Sequence, residues 1–133
     1  MNSRHVARTL SLGRIGFGIA LMALPERTTE LWIGKQSRKP VPQMFTRAVG
    51  ARDLGLGAAT IAAASRRGPL RPLLLAALLA DSTDLIATLV ARDHLPRTAV
   101  PLVVATAGAG IALGALGLAG AGNSDAPPPP VPA

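Results

Sequence analysis

The chain reads as an all-α protein, a four-helix transmembrane bundle with a short interfacial helix after the first span and a disordered proline-rich C-terminal tail. Three observations carry that expectation. Nearly half of the residues are hydrophobic, 49%, at a mean hydropathy of +0.37, while only 2% are aromatic. The apolar residues fall into four runs separated by basic or proline-containing breaks. The last run, Thr98 to Ala121, holds no charge over a length that crosses the hydrocarbon core, for which about 20 helical residues are needed. The scarcity of aromatics denies a soluble core its usual large fillers, whereas Ala, Gly, Leu, Val and Ile suit close helix contacts in lipid.

The first apolar run extends from about Leu10 to Leu24 and stops at Pro25. It begins basic like a secretory signal, but Arg14 interrupts it and Pro-Glu-Arg stands where small cleavage-site residues belong, so it is expected to be retained. PERTTELWIG follows, with polar and apolar residues at helical spacing and the only Trp, Trp32. That composition fits a short helix lying in the interface, anchored by Leu31, Trp32 and Ile33. The second run, about Phe45 to Ser65, ends at Arg66-Arg67-Gly68-Pro69, and the third, about Leu70 to Ala91, ends at Arg92-Asp93-His94-Leu95-Pro96. In the fourth run Pro101 falls in the first helical turn, where its missing N–H costs no bond. The membrane domain is expected over 1–122, and NSDAPPPPVPA beyond it reads as a polyproline-like tail.

Net charge is +7, from 14 basic and 7 acidic residues. Arg4, Arg8, Lys35, Arg38, Lys39, Arg66, Arg67 and Arg71 lie in or beside the breaks, with no aromatic set for base stacking nearby. This pattern suits anionic lipid headgroups and argues against nucleic acid. Four spans place both termini and the 66–71 loop on one side. Five basic residues there, against six on the other, leave the positive-inside rule undecided. The dense Arg66, Arg67, Arg71 cluster inclines the termini toward the cytoplasm, with the cell membrane as the location.

The chemistry concentrates where it is least expected. LLLAALLADSTDLIATLVAR, residues 73–92, places Asp81 and Asp84 inside an apolar run. At 1.5 Å per helical residue, Asp81 lies roughly 15 Å and Asp84 roughly 10 Å from the 91 end of the third span. Arg14 lies about 16 Å from the Pro25 end of the first span, and Arg52 about 10 Å from the Phe45 end of the second. Those ends share a side in a four-span bundle, so depth pairs Arg14 with Asp81 and Arg52 with Asp84. Unpaired, the five charges Arg14, Arg52, Asp53, Asp81 and Asp84 would cost about 12 to 17 kcal/mol at roughly 2.5 to 3.5 kcal/mol each. They must pair, take up a proton or face water. Two guanidiniums against three carboxylates leave one negative charge in surplus. Arg47, near its helix end, is expected to reach out to headgroups.

Arg47-Ala-Val-Gly50-Ala-Arg52-Asp53-Leu-Gly-Leu56-Gly57, followed by Ala80-Asp81-Ser-Thr-Asp84, resembles a group of small four-helix integral membrane proteins of actinobacteria, a DoxX-like domain of unknown function. The resemblance runs from about Arg14 to the fourth helix. It implies a bundle and a membrane address and brings no activity with it.

Other chemistries find little support. Asp81-x-x-Asp84 is similar to the metal-binding carboxylates of membrane CDP-alcohol phosphotransferases, but the Asp-Gly and Ala-Arg that should follow are missing. Gly55 and Gly57 have no Walker lysine beside them. Cys is absent, which removes thiolate sites, and His5 and His94 are isolated in the sequence. No catalytic residue, metal or cofactor is expected. Gly110-x-x-x-Gly114 fits a tight helix contact, either inside the bundle or between copies of the chain. The functional expectation is an accessory membrane protein that binds lipid or another membrane protein, not an enzyme. The alternative is a small proton-coupled carrier using the intramembrane aspartates.

Overall fold

The computed structural model describes residues 3–121, and the side chains of residues 4–120. Five α-helices account for most of them, in the order α1 (Ser3–Ala23), α2 (Pro25–Ile33), α3 (Pro40–Ser65), α4 (Arg71–Ala91) and α5 (Ala99–Ala121), and no strand is present among the described residues. Short 3-10 turns at Gly34–Arg38 and Arg92–His94 join α2 to α3 and α4 to α5. The predicted tail lies outside the described residues.

Among the described residues three helical stretches, Arg4–Ala23, Arg71–His94 and Ala99–Gly120, are long and apolar enough to cross a membrane. The sequence expects a fourth span over the second apolar run. Its helix, α3, has the length, 26 residues, but is not among the three. Arg52 and Asp53 at its middle, with Arg47 nearer its start, account for the difference.

Helices α1 and α3 begin earlier than their apolar runs, because backbone hydrogen bonding does not stop where side chains turn polar, whereas α4 and α5 match theirs to within a residue. Helix α1 starts at Ser3 and carries Arg4 and Arg8 in its first turns, since Arg propagates a helix nearly as well as Leu. Helices α2, α3 and α4 each open with proline in the first turn, where the ring's fixed φ is already helical. Helix α2 ends at Gly34, whose φ of +61° an L-residue rarely adopts, and a Cβ there would stand 3.0 Å from Pro96 Cγ in the loop before α5. This contact, with the Thr98 hydroxyl donating to the Leu31 carbonyl at 2.7 Å, brings α2 to the α4–α5 connection.

The bundle is built from two antiparallel pairs, α1 with α3 and α4 with α5. Glycine sets the spacing within each. A Cβ on Gly18 would fall 2.6 Å from the Gly50 carbonyl oxygen, and one on Gly50 would fall 2.7 Å from the Gly18 carbonyl. One on Gly57 would fall 2.8 Å from the Ser11 carbonyl, so α1 and α3 touch backbone to backbone. On α5, Gly114 faces Leu78 and Gly117 faces Leu74, both on α4. The Gly110/Gly114 face is thus occupied by α4 of the same chain.

The interior mixes polar side chains with apolar ones such as Leu21, Leu70, Leu74 and Val103, and many large apolar side chains lie outside. Asp53, Asp81, Ser11, Thr46, Thr60 and Thr88 are buried, while Leu12, Phe17, Ile19, Leu79, Ile86, Val90, Val104 and Leu116 are exposed. Helix hydroxyls are satisfied internally. Ser11, Thr46, Thr60, Thr83, Thr88 and Thr106 each donate to the carbonyl four residues earlier, at 2.7 to 3.0 Å.

Candidate functional site

Arg14, Arg52, Asp53, Asp81 and Asp84 come together in one network across the seam between the two helix pairs. Arg14, on α1, donates through Nη1 to Asp53 Oδ1 at 2.9 Å and through Nη2 to Asp81 Oδ2 and to the Ala77 carbonyl, the last at 3.3 Å. Arg52, on α3, forms a two-pronged bond to Asp84, Nη1 to Oδ1 at 3.0 Å and Nη2 to Oδ2 at 2.7 Å. This fork geometry is the strongest that guanidinium and carboxylate make. Arg52 also curls back onto its neighbour, Nε and Nη2 lying 3.3 and 3.2 Å from Asp53 Oδ1.

The expected pairs Arg14 with Asp81 and Arg52 with Asp84 are both present as ion pairs. Depth matching could not show the role of Asp53. One oxygen of Asp53 accepts from both arginines and ties the two pairs into a single cluster. Its side chain is 6% exposed, against 30% for Arg52 and 25% for Asp84, so it forms the inner end of the network. Adjacent helix residues do not normally face each other, and only the length of the arginine side chain lets Arg52 reach Asp53.

The α1/α3 pair supplies both guanidiniums and one carboxylate, and the α4/α5 pair supplies two carboxylates. Inside each pair the helices are held by close small-residue packing, while across the seam the ion pairs stand beside an apolar cluster of Ala7, Ala64, Leu70 and Leu74. Asp81 has one further neighbour that the sequence did not reveal. A Cβ at Gly110 of α5 would stand 2.8 Å from Asp81 Cγ, so the glycine vacates the volume in which the carboxylate sits. The spacing Gly110-x-x-x-Gly114 was visible in the sequence, but not that one of its glycines makes room for a charge.

Trp32 and Arg47, the expected interfacial anchors, take different positions. The half-buried Trp32 turns toward the bundle, its indole Nε1 donating to Thr88 Oγ1 at 3.1 Å, and that hydroxyl donates in turn to the Asp84 carbonyl at 2.8 Å. The indole N–H is a donor that needs an acceptor, and Thr88 supplies it one helical turn beyond Asp84. Arg47 is exposed and lines a cavity of about 360 Å³ where α1, α2 and α3 meet. A second cavity, about 230 Å³, lies between His5, Val6, Thr9 and Leu10 of α1 and Leu113 of α5. Neither cavity is lined by a member of the charge network. Among the described residues no group of three or more His, Cys, Asp or Glu side chains is placed to hold a metal ion.

Each guanidinium and each carboxylate of the network is engaged. Such an arrangement fixes helix register chemically, because losing one partner strands a buried charge at a cost of typically about 3 to 5 kcal/mol. Compared with protein-family models, with curated proteins and with solved structures, the chain matches none of them.

Proposed function

We propose that the chain is a multi-pass integral protein of the cell membrane, with α1, α3, α4 and α5 all spanning, and that it serves as an accessory protein binding lipid or another membrane protein. The observation that carries this reading is the closed charge network inside an apolar exterior. Polar groups in hydrocarbon must find partners within the protein, and those of the network do. Helix α3 is included as a span because Arg52 and Asp53, the charges at its middle, are taken up in the network, while the exposed Arg47 lies nearer its start. From Ala48 to Ala62 its exposed positions are Ala48, Ala51, Gly55, Ala58, Ala59 and Ala62, which present no polar side chain to lipid. Helix α2 lies at the interface in this arrangement, and the termini share the cytoplasmic side with Arg66, Arg67 and Arg71.

The alternative, a proton-coupled carrier, draws on one specific observation, the surplus carboxylate. Intramembrane ionisable groups commonly mark ion pathways. The accessory reading is favoured because the network is closed on itself and adjoins neither cavity. Proton flux into proteoliposomes under an imposed potential separates the two. The expected result is no flux above empty liposomes for the native chain or for Asp81→Asn, which keeps the side-chain shape but cannot titrate. A native flux abolished by Asp81→Asn overturns the accessory reading in favour of the carrier.

A further inference from the structure

We infer that the cavity where α1, α2 and α3 meet is a binding site for the phosphodiester headgroup of an anionic phospholipid, held by Arg27, Arg47 and Gln43. The inference rests on the membrane reading above and gives its lipid partner a place and a chemical class. The cavity, about 360 Å³, is lined by Ala23, Leu24, Pro25, Glu26, Arg27, Gln43 and Arg47. Two guanidiniums and one carboxamide therefore border a single open volume, and none of the three has an ion pair or a side-chain hydrogen bond to another described residue.

The acidic lining residue does not cancel this charge. Glu26 is paired with Arg38, which places Nε 3.2 Å from its Oε1 and also reaches Glu30 at 3.6 Å. The carboxylate on the cavity wall is thus held by Arg38, which it shares with Glu30, and is paired with neither Arg27 nor Arg47. Guanidinium presents paired donors in the fork that phosphate and carboxylate oxygens accept, so two of them beside a cavity suit an oxyanion, and the apolar surface next to it selects the phosphodiester of a lipid.

The surface below the cavity suits the rest of a lipid. Helix α1 passes from Ala23 to Ile19 on the same face, one turn deeper, with Met22 beside it, and Ile19 and Met22 are both exposed. Helix α3 passes from Arg47 to the exposed Ala51. Leu24, Met44 and Phe45 are exposed around the cavity's own level. A polar basic pocket thus opens directly onto an apolar surface, the profile of a headgroup and its acyl chains and unlike that of a free phosphate ester in water.

Native mass spectrometry of the full chain in mild detergent tests the site, with equal amounts of phosphatidylglycerol and phosphatidylcholine and, in a second arm, glycerol phosphate as competitor. The native chain is expected to retain phosphatidylglycerol selectively. Arg27→Gln with Arg47→Gln should weaken that binding roughly thirtyfold, each basic group near an anionic headgroup contributing a factor of about five. Arg66→Gln with Arg67→Gln, which removes equal charge from the opposite end of the bundle, should leave it unchanged. Equal losses in the two double variants, or no selectivity in the native chain, overturn the site. Effective competition by glycerol phosphate overturns the lipid as the ligand. Alkaline carbonate extraction keeps the two levels apart: a chain released from membranes overturns the membrane reading itself, whereas a chain retained without lipid selectivity overturns only the site.

Discussion

Arg14 Nη1 stands 2.9 Å from Asp53 Oδ1 within the α1/α3 pair, while Nη2 of the same guanidinium crosses to Asp81 on α4. One planar group therefore joins three of the four long helices, and its orientation is set from two sides. Arg52 makes the same crossing one step away, to Asp84. The two crossings share Asp53, and this sharing distinguishes a cluster from two independent pairs.

The cluster predicts unequal costs for its carboxylates. Asp84→Ala strips Arg52 of its two-pronged partner and should destabilise the protein by about 3 to 5 kcal/mol, as for a broken buried pair. Asp53→Asn leaves two guanidiniums facing two carboxylates and keeps an acceptor in place, so it should cost distinctly less. In a double-mutant cycle, Arg52→Ala with Asp84→Ala should cost less than the two single losses together. Chemical unfolding in detergent measures all of these. Additive losses would separate Arg52 from Asp84, and an Asp53→Asn loss as large as that of Asp84→Ala would remove Asp53 from its bridging role.

Gly110 is expected to be intolerant of any side chain. A methyl group there collides with Asp81, whose position is held by Arg14, so Gly110→Ala should cost about 1 to 3 kcal/mol by overpacking. Gly108 has open space around its Cβ position. Gly108→Ala should be neutral or stabilising by roughly 0.5 to 1 kcal/mol, because alanine is the better helix former. Equal effects at the two positions, read from unfolding in detergent, would show that the Asp81 contact does not limit Gly110.

Trp32 is the only Trp in the chain, so its emission reports one environment. Thr88→Val removes the indole's acceptor and should shift the emission while destabilising the α2 contact by roughly 1 to 2 kcal/mol. Thr83→Val, whose hydroxyl bonds only within its own helix, should leave the emission alone. An unchanged spectrum in Thr88→Val would place the indole elsewhere.

Four spans predict an alternating pattern of access. In this Cys-free chain, single cysteines at positions 3, 68 and 126 should react with an impermeant thiol reagent from one side of the membrane, and those at 36 and 95 from the other. Positions 68 and 95 flank α4, and labelling of both from the same side would break the four-span arrangement. Positions 36 and 68 flank α3 in the same way and test the one helix whose charges set it apart from the other three.

The helical class and the helix at 25–33 were determined by the sequence, because apolar runs, proline positions and basic breaks are local signals. The five network residues were legible for a related reason. A charge in an apolar run is conspicuous, and a fixed rise per residue turns chain position into depth. Depth carries no information about rotation around a helix axis, and there the sequence stopped. It could pair Arg14 with Asp81 and Arg52 with Asp84 by level, but it could not show that Asp53 faces both arginines, that Gly110 leaves room for Asp81, or that the Trp32 indole bonds to Thr88. The start of α1 escaped it as well, because arginine sustains a helix without contributing to an apolar run. Those outcomes were decided by tertiary packing. Once Gly18, Gly50 and Gly57 let α1 and α3 touch, and Gly114 and Gly117 seat α5 on α4, the azimuth of every helix is set, and with it which of its polar groups meet.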